Sequence, residues 1–260
     1  MNEPILTQRH ENLLQVTLNR PEAFNALDFD MMKGLGETMA SAAVDDSIKG
    51  IMLTGSGKAF CSGGDLKWIS QQAEEASSVL YRLAPMFHIA IAEIRRMGKP
   101  VVAAINGIAA GGGFSLALAC DFRVMAESAT LRQAYTSSGL SMDGGGSFAL
   151  PRIVGLARAM EIMAFDQPIP SARALEWGLV TKTAPDSEVQ KEALALLQSL
   201  SQTALYSFAW SKKLMLDSFT NALESQLELE RQGISACAAH PEGREGIRAF
   251  VEKRKPMFGG

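Results

Sequence analysis

Three histidines and three cysteines in 260 residues leave little material for metal or disulfide chemistry. Cys61, Cys120 and Cys237 are too few and too scattered for a disulfide framework. No Cys/His pair stands at zinc-ligand spacing, so no metal site is expected. Basic tracts are missing as well. Lys and Arg total 25 against 28 Asp and Glu, a formal net charge of −3. That balance argues against nucleic acid or an anionic membrane as the principal partner. The opening MNEPILTQRHENLLQVTL has early charges and no apolar core, unlike a signal peptide. These absences lead to the expectation of a soluble protein of the cytoplasm.

Charge itself is missing from one long stretch, between Lys99 and Asp121. The run is long enough to span a bilayer. Pro100, Asn106, Ser115 and the glycines at 107, 111, 112 and 113 interrupt it. It divides better into a buried strand PVVAAI, a turn at NG and a helix within GGGFSLALACD.

What is present alternates. LLQVTLNR has the period of a strand, and Asp28 stands where it can cap a helix FDMMKGLGETMASAAVD. IKGIMLTG reads as a second strand, SGKAFCSGGDLKWI as a glycine-marked loop into a helix, and RLAPMFHIAIAEIRRMG as a helix. KPVVAAING and DFRVMAES supply a third and a fourth strand. Strands alternating with helices predict an α/β fold with parallel pairing. From about residue 198 the pattern turns helical, in SLSQTALYSFAWSKKLML, NALESQLELERQGISACAA and PEGREGIRAFVEKRK. The sequence thus predicts an α/β core over residues 1–197 and a helical region over 198–260, the kind of appendage that serves assembly.

Twice a strand runs into glycines and then a helix: LTGSGKAFCSGGDLKW and AAINGIAAGGGFSLAL. The first turn of a helix has backbone N–H groups without partners, and glycine lets another group approach them. Neither loop has the Gly-Lys-Ser/Thr of a phosphate-binding P-loop. Two such loops together can offer one N–H each to a single oxygen, an oxyanion hole. The segments NRPEAFNAL, GKAFCSGGDL, KPVVAAINGIAAGGGFSLALACD, GLSMDGGGSFALPRIVG and EWGLV resemble, in order, signatures of the crotonase (enoyl-CoA hydratase/isomerase) superfamily. EGREGIRAFVEKRKPMF resembles its C-terminal helix. The resemblance implies a crotonase-like spiral core of ββα units with a C-terminal helical trimerisation region. It also implies that the amides of Gly64 and Gly112 polarise the thioester carbonyl of an acyl-CoA substrate. Coenzyme A then enters as part of the substrate, with no separate cofactor.

Hydratases of the superfamily use two glutamates, which share the work of holding water and moving protons. Ser115 and Tyr135 stand at those two positions here. One carboxylate remains in the region, Asp143 in GLSMDGGGSF. It has two readings, a cap for the glycine-rich helix start that follows and an acid/base group. Isomerases of the superfamily that move a double bond carry their carboxylate at this position, as do ring-expanding isomerases of phenylacetate catabolism. 4-Chlorobenzoyl-CoA dehalogenases place a nucleophilic aspartate there, with an aromatic residue matching Tyr135 and a histidine matching His88. A lone histidine on an amphipathic helix also serves as an ordinary surface or core residue.

For coenzyme A, the resemblance points to Phe24, Ala26, Ser62, Asp65, Leu66 and Ile108, partly through backbone atoms. Asp65 is also placed to cap the LKWI helix. Lys253 matches a lysine that reaches the phosphates from a neighbouring subunit, and is otherwise a solvated lysine. A homotrimer or dimer of trimers is implied. The leading expectation is an enoyl-CoA isomerase acting through Asp143. The alternatives are a hydratase, a dehalogenase-like hydrolase, and a CoA-binding protein without chemistry.

Overall fold

A computed structural model of the chain describes residues 3–258. Among these residues, ten strands and eleven α-helices follow one another in a repeating order, with short 3-10 turns at Pro21–Ala23 and Thr136–Ser138. An antiparallel hairpin, β1 (Ile5–His10) and β2 (Leu13–Leu18), opens the chain and leads into α1 (Phe29–Val44). β3 (Gly50–Gly55) and β4 (Ala59–Cys61) are followed by α2 (Leu66–Ser70) and the long α3 (Ala76–Arg96). β5 (Val101–Ile105) and β6 (Ile108–Ala110) precede α4 (Gly112–Ala119). β7 (Phe122–Ala126) and β8 (Thr130–Arg132) precede α5 (Gly146–Val154) and α6 (Leu156–Phe165). Then come β9 (Ile169–Pro170), α7 (Ser171–Glu176), β10 (Lys182–Ala184) and α8 (Val189–Ser201). The chain finishes with α9 (Leu205–Asp217), α10 (Leu223–Ala239) and α11 (Pro241–Val251).

The strands sort into two sheets. The larger has the order β1-β2-β3-β5-β7-β10 and the smaller β4-β6-β8-β9. Each repeat therefore gives its first strand to one sheet and its second to the other, so the backbone advances as a spiral. From β2 to β10 the large sheet is parallel, and β4, β6 and β8 are parallel in the small one. GIMLTG of β3 and VVAAI of β5 are buried at every position, the signature of strands covered on both faces. One cover is α8, which turns Val189, Ala193 and Leu197 inward at intervals of four. Gly50 makes room for it, since a Cβ there would stand 2.6 Å from Leu197 Cδ1.

Local signals explain several boundaries. Asp28 caps α1 by accepting from Met31 N at 2.9 Å, as the sequence predicts. The helix expected through SLSQTALYSFAWSKKLML is interrupted at residues 202–204, between α8 and α9. Ser199, Ser201 and Thr203 turn their hydroxyls back to the carbonyls of Leu196, Gln198 and Leu200. Such bonds compete with the helical ladder and end it. The division expected at residue 197 falls inside α8, whose Leu197 belongs to the core. Among the described residues no helix is long and apolar enough to cross a membrane. The charge-free stretch becomes β5, β6 and the wholly buried α4.

Candidate active site

Parallel neighbours in a sheet send their following loops out of the same edge. β4, β6 and β8 are such neighbours, and the loops after them build one site. The loop after β4 carries Gly63 and Gly64, and the loop after β6 carries Gly111 and Gly112. Gly63 (φ 97°) and Gly111 (φ 52°) adopt backbone conformations that glycine tolerates and other residues resist. The two loops touch: a Cβ on Gly63 would lie 3.1 Å from Gly112 N. Among the described residues, neither the Gly64 nor the Gly112 amide donates to a backbone carbonyl outside a helix or strand. Gly112 opens α4, so its N–H belongs to the unpaired first turn.

Both glycines line a cavity of about 340 Å³. Leu27, Leu83 and Phe87 form apolar wall, and Ser62, Leu66, Tyr135 and Asp143 also face it. Asp143 is the sole carboxylate among the described lining residues. Its side chain does not cap a helix, so the capping reading is overturned. α5 begins three residues later, behind Gly145, with no side-chain cap. The carboxylate reaches instead to α3, where His88 Nε2 lies 2.6 Å from Asp143 Oδ1. A carboxylate has no hydrogen to give, so Nε2 carries the proton of this bond when Asp143 is ionised. The pair is half exposed, with side-chain exposures of 51% for His88 and 43% for Asp143.

Ser115 and Tyr135 lie behind Asp143 and are buried. Burial is the largest influence on the Tyr135 phenol and, with the nearby Asp143 charge, pushes it up to about 12. It is a hydrogen-bond donor at any ordinary pH, not a base.

The other expected residues scatter. Asp65 caps α2, accepting from Trp68 N at 2.9 Å. Its other oxygen pairs with Arg20 at 3.0 Å. Ser62 N donates to Phe24 O at 3.0 Å, tying the loop after β4 to the exposed Phe24. Ala26 is buried, and its carbonyl accepts from Arg20 Nη1 at 2.6 Å. Ile108 is partly exposed on β6, and Lys253 is exposed just past α11. Phe24, Ala26, Asp65, Ile108, His88 and Lys253 are not among the residues lining the cavity. Sequence reasoning missed Arg20. Its guanidinium reaches Asp28, Asp65 and the Ala26 carbonyl, so it fixes the loop before α1 against the loop after β4. The only signal was its place in NRPEAFNALD, the turn-rich segment that ends at the capping Asp28.

Two loop amides without carbonyl partners, a cavity and one carboxylate define a site able to hold a developing oxyanion beside a proton acceptor. The family model for enoyl-CoA hydratase/isomerase matches residues 8–260. The chain belongs to that family, and its fold is the crotonase spiral with C-terminal helices. It is 33% identical to 1,2-epoxyphenylacetyl-CoA isomerase of Escherichia coli, covering 100% of both chains. To 4-chlorobenzoyl coenzyme A dehalogenase-2 of an Arthrobacter species it is 32% identical, over 96% of this chain and 91% of that one. The crystal structure of an enoyl-CoA hydratase from Polaromonas sp. JS666 superposes with a TM-score of 0.92 at 37% identity, covering 97% and 98%.

Proposed function

We propose that this enzyme isomerises an enoyl-CoA by moving one proton between carbons through Asp143. The observation that carries the reading is the single carboxylate on the described cavity wall. Hydration needs groups to hold a water, deprotonate it and protonate carbon, and hydroxyls fill both positions that would supply them. A double-bond shift needs one base. Asp143 takes a proton from the α-carbon while the thioester oxygen becomes an enolate oxygen facing the amides of Gly64 and Gly112. Asp143 then returns the proton to the γ-carbon, and the carbonyl reforms. Preorganised donors aimed at the oxygen that gains charge lower the barrier by several kcal/mol. His88 holds one carboxylate oxygen and leaves the other for the substrate. The reaction so read needs no separate cofactor, and coenzyme A belongs to the substrate.

The His88–Asp143 contact also favours a second reading, in which Asp143 attacks the chlorine-bearing carbon of an aryl-CoA, chloride leaves, and His88 takes a proton from the water that hydrolyses the resulting ester and frees the carboxylate. One experiment separates them. The wild-type enzyme is incubated in deuterium oxide with a 3-enoyl-CoA, and separately quenched on 4-chlorobenzoyl-CoA. The proton held on the half-exposed Asp143 carboxyl exchanges with solvent before delivery, so deuterium in the product and no added protein mass are expected. An aryl ester on Asp143 without enoyl turnover would overturn the isomerase reading.

Self-association is part of the proposal. Leu223, Leu227 and Ile234 of α10 and Ile247, Phe250 and Val251 of α11 are exposed large apolar side chains. Their exposure supports assembly through these helices into a homotrimer or a dimer of trimers, in which other subunits would cover them. A monomeric mass by light scattering at micromolar concentration would contradict it.

A further inference from the structure

Three donors converge on one backbone oxygen, the carbonyl of Asp143. Ser115 Oγ donates at 2.7 Å, Tyr135 Oη at 3.2 Å and Gly146 N at 3.2 Å. The two hydroxyls are themselves 3.1 Å apart. Ser115 is fully buried on α4 and Tyr135 is 9% exposed. We propose that Ser115 and Tyr135 are positioning residues, which aim the Asp143 carboxylate by anchoring that residue's own peptide carbonyl. This rests on the reading of Asp143 as the acid/base group.

The turn that follows explains the need. Gly144 (φ 59°) and Gly145 (φ 72°) both occupy the left-handed region. Two successive glycines there give a backbone many alternatives. A Cβ on Gly144 would run into the Phe87 ring, so the glycine cannot simply be exchanged for a stiffer residue. The stiffness has to come from outside the turn. Fixing the 143 carbonyl fixes the plane of the following peptide, and with it one of the two soft dihedrals of Asp143. Carbonyl and side chain leave Cα in different directions. With the carbonyl held inward by Ser115 and Tyr135, the carboxylate is directed outward to the cavity and His88.

The hydrogen count fits. Ser115 has one hydroxyl hydrogen, used in the shortest bond to the carbonyl. Tyr135 has one, shared between the carbonyl and Ser115 Oγ. A phenol held protonated by burial keeps this pattern throughout the ordinary pH range. The two positions that hold carboxylates in hydratases therefore act here on the backbone of a third residue.

The test uses Ser115→Ala, Tyr135→Phe and the double variant on the full-length protein, with 3-hexenoyl-CoA as substrate. Each single variant leaves one hydroxyl on the carbonyl, and kcat is expected to fall by about threefold to tenfold. The double variant is expected to lose about 10²-fold, the scale of a misplaced catalytic group. KM should stay within a few-fold, because the amides and the loops around Ser62 lie elsewhere. The acid limb of the pH–kcat profile should move, since the carboxylate changes surroundings. A purely structural role predicts something else: a lower melting temperature with kcat per folded molecule and the acid limb unchanged. That outcome overturns the proposal. If the double variant does not fold, Ser115→Ala alone decides by the same two readouts. Asp143→Asn is the control. Full turnover in Asp143→Asn would sink the acid/base reading itself, whereas its loss beside unaffected Ser115→Ala and Tyr135→Phe would sink only the anchoring role.

Discussion

His88 and Asp143, 55 residues apart in sequence, meet through a 2.6 Å contact at the mouth of the cavity. The histidine comes from the middle of α3 and the aspartate from the turn before α5. Replacing His88 with glutamine keeps a donor for Asp143 and removes the ionisable ring. Under the isomerase reading the effect is one of aim, and enoyl-CoA turnover should fall by about tenfold. No adduct should appear with 4-chlorobenzoyl-CoA. An aryl ester that accumulates in His88→Gln, seen by intact-protein mass spectrometry, would move the assignment to the nucleophilic reading.

The glycines around the two amides should respond differently. A Cβ on Gly64 meets nothing within 4 Å, so Gly64→Ala should keep both its N–H and most of its turnover. Gly64→Pro deletes the N–H and should lose about 10² to 10³ in kcat. Gly113→Ala should fail for a different reason. Its Cβ would run into the Cys61 carbonyl, and crowding of that kind costs about 1–3 kcal/mol in denaturant unfolding. Equal losses in the two Gly64 variants would point to sterics at that position and away from a hydrogen bond.

Lys212 of α9 is buried and its ammonium reaches three acceptors: Asp121 Oδ2 at 2.8 Å and the carbonyls of Ile94 and Lys99. Burial pushes Asp121 up and Lys212 down from their ordinary values, and each opposes the shift of the other. Lys212→Met leaves a buried carboxylate with the Val101 N–H as its remaining hydrogen bond. The expected loss is about 3–5 kcal/mol. Because burial raises the folded-state value of Asp121, the folded variant holds its proton to higher pH than the unfolded chain. The deficit should therefore shrink as the pH is lowered through the carboxylate range. Urea midpoints at pH 7 and pH 4 check both statements.

Alkaline stability follows from three buried groups. Burial pushes the thiols of Cys61 and Cys120, ordinarily near 9, up to about 12. It does the same to the Tyr135 phenol, ordinarily near 10. The unfolded chain releases these protons first, so it binds fewer protons than the folded chain above pH 9. Stability must then fall as the pH rises from about 9 to 12. Urea midpoints at pH 8, 10 and 11 should decline, and Cys61→Ala with Cys120→Ala should flatten the slope. A flat profile in the unmodified protein would contradict the burial of these groups.

The parts of this fold legible in sequence are those with a long enough pattern. Alternation marks β2, continuous apolar runs mark β3 and β5, and the Asp28 cap announces α1. The small sheet leaves no such trace. Its strands have two or three residues, too few for alternation to register. Its existence matters most, because it brings Gly64 and Gly112 side by side. For the site, the two glycine loops were readable from unpaired helix starts, and the chemistry of Asp143 was not. In sequence, an aspartate before glycines is the same string whether it caps or not. Only the start of α5 at Gly146 and the position of His88 on α3 decide between them.

The two-sheet spiral has an evolutionary consequence. In the proposed mechanism the groups that polarise the carbonyl are main-chain amides, fixed by where β4 and β6 end. No substitution short of proline or a broken loop removes them. The proton-handling groups are side chains on neighbouring turns, each exchangeable by a single codon change. A lineage built on this backbone keeps its hold on an enolate while it trades one reaction for another. Under the isomerase reading, Ser115, Tyr135 and Asp143 would record such a trade, made without altering the spiral that carries it.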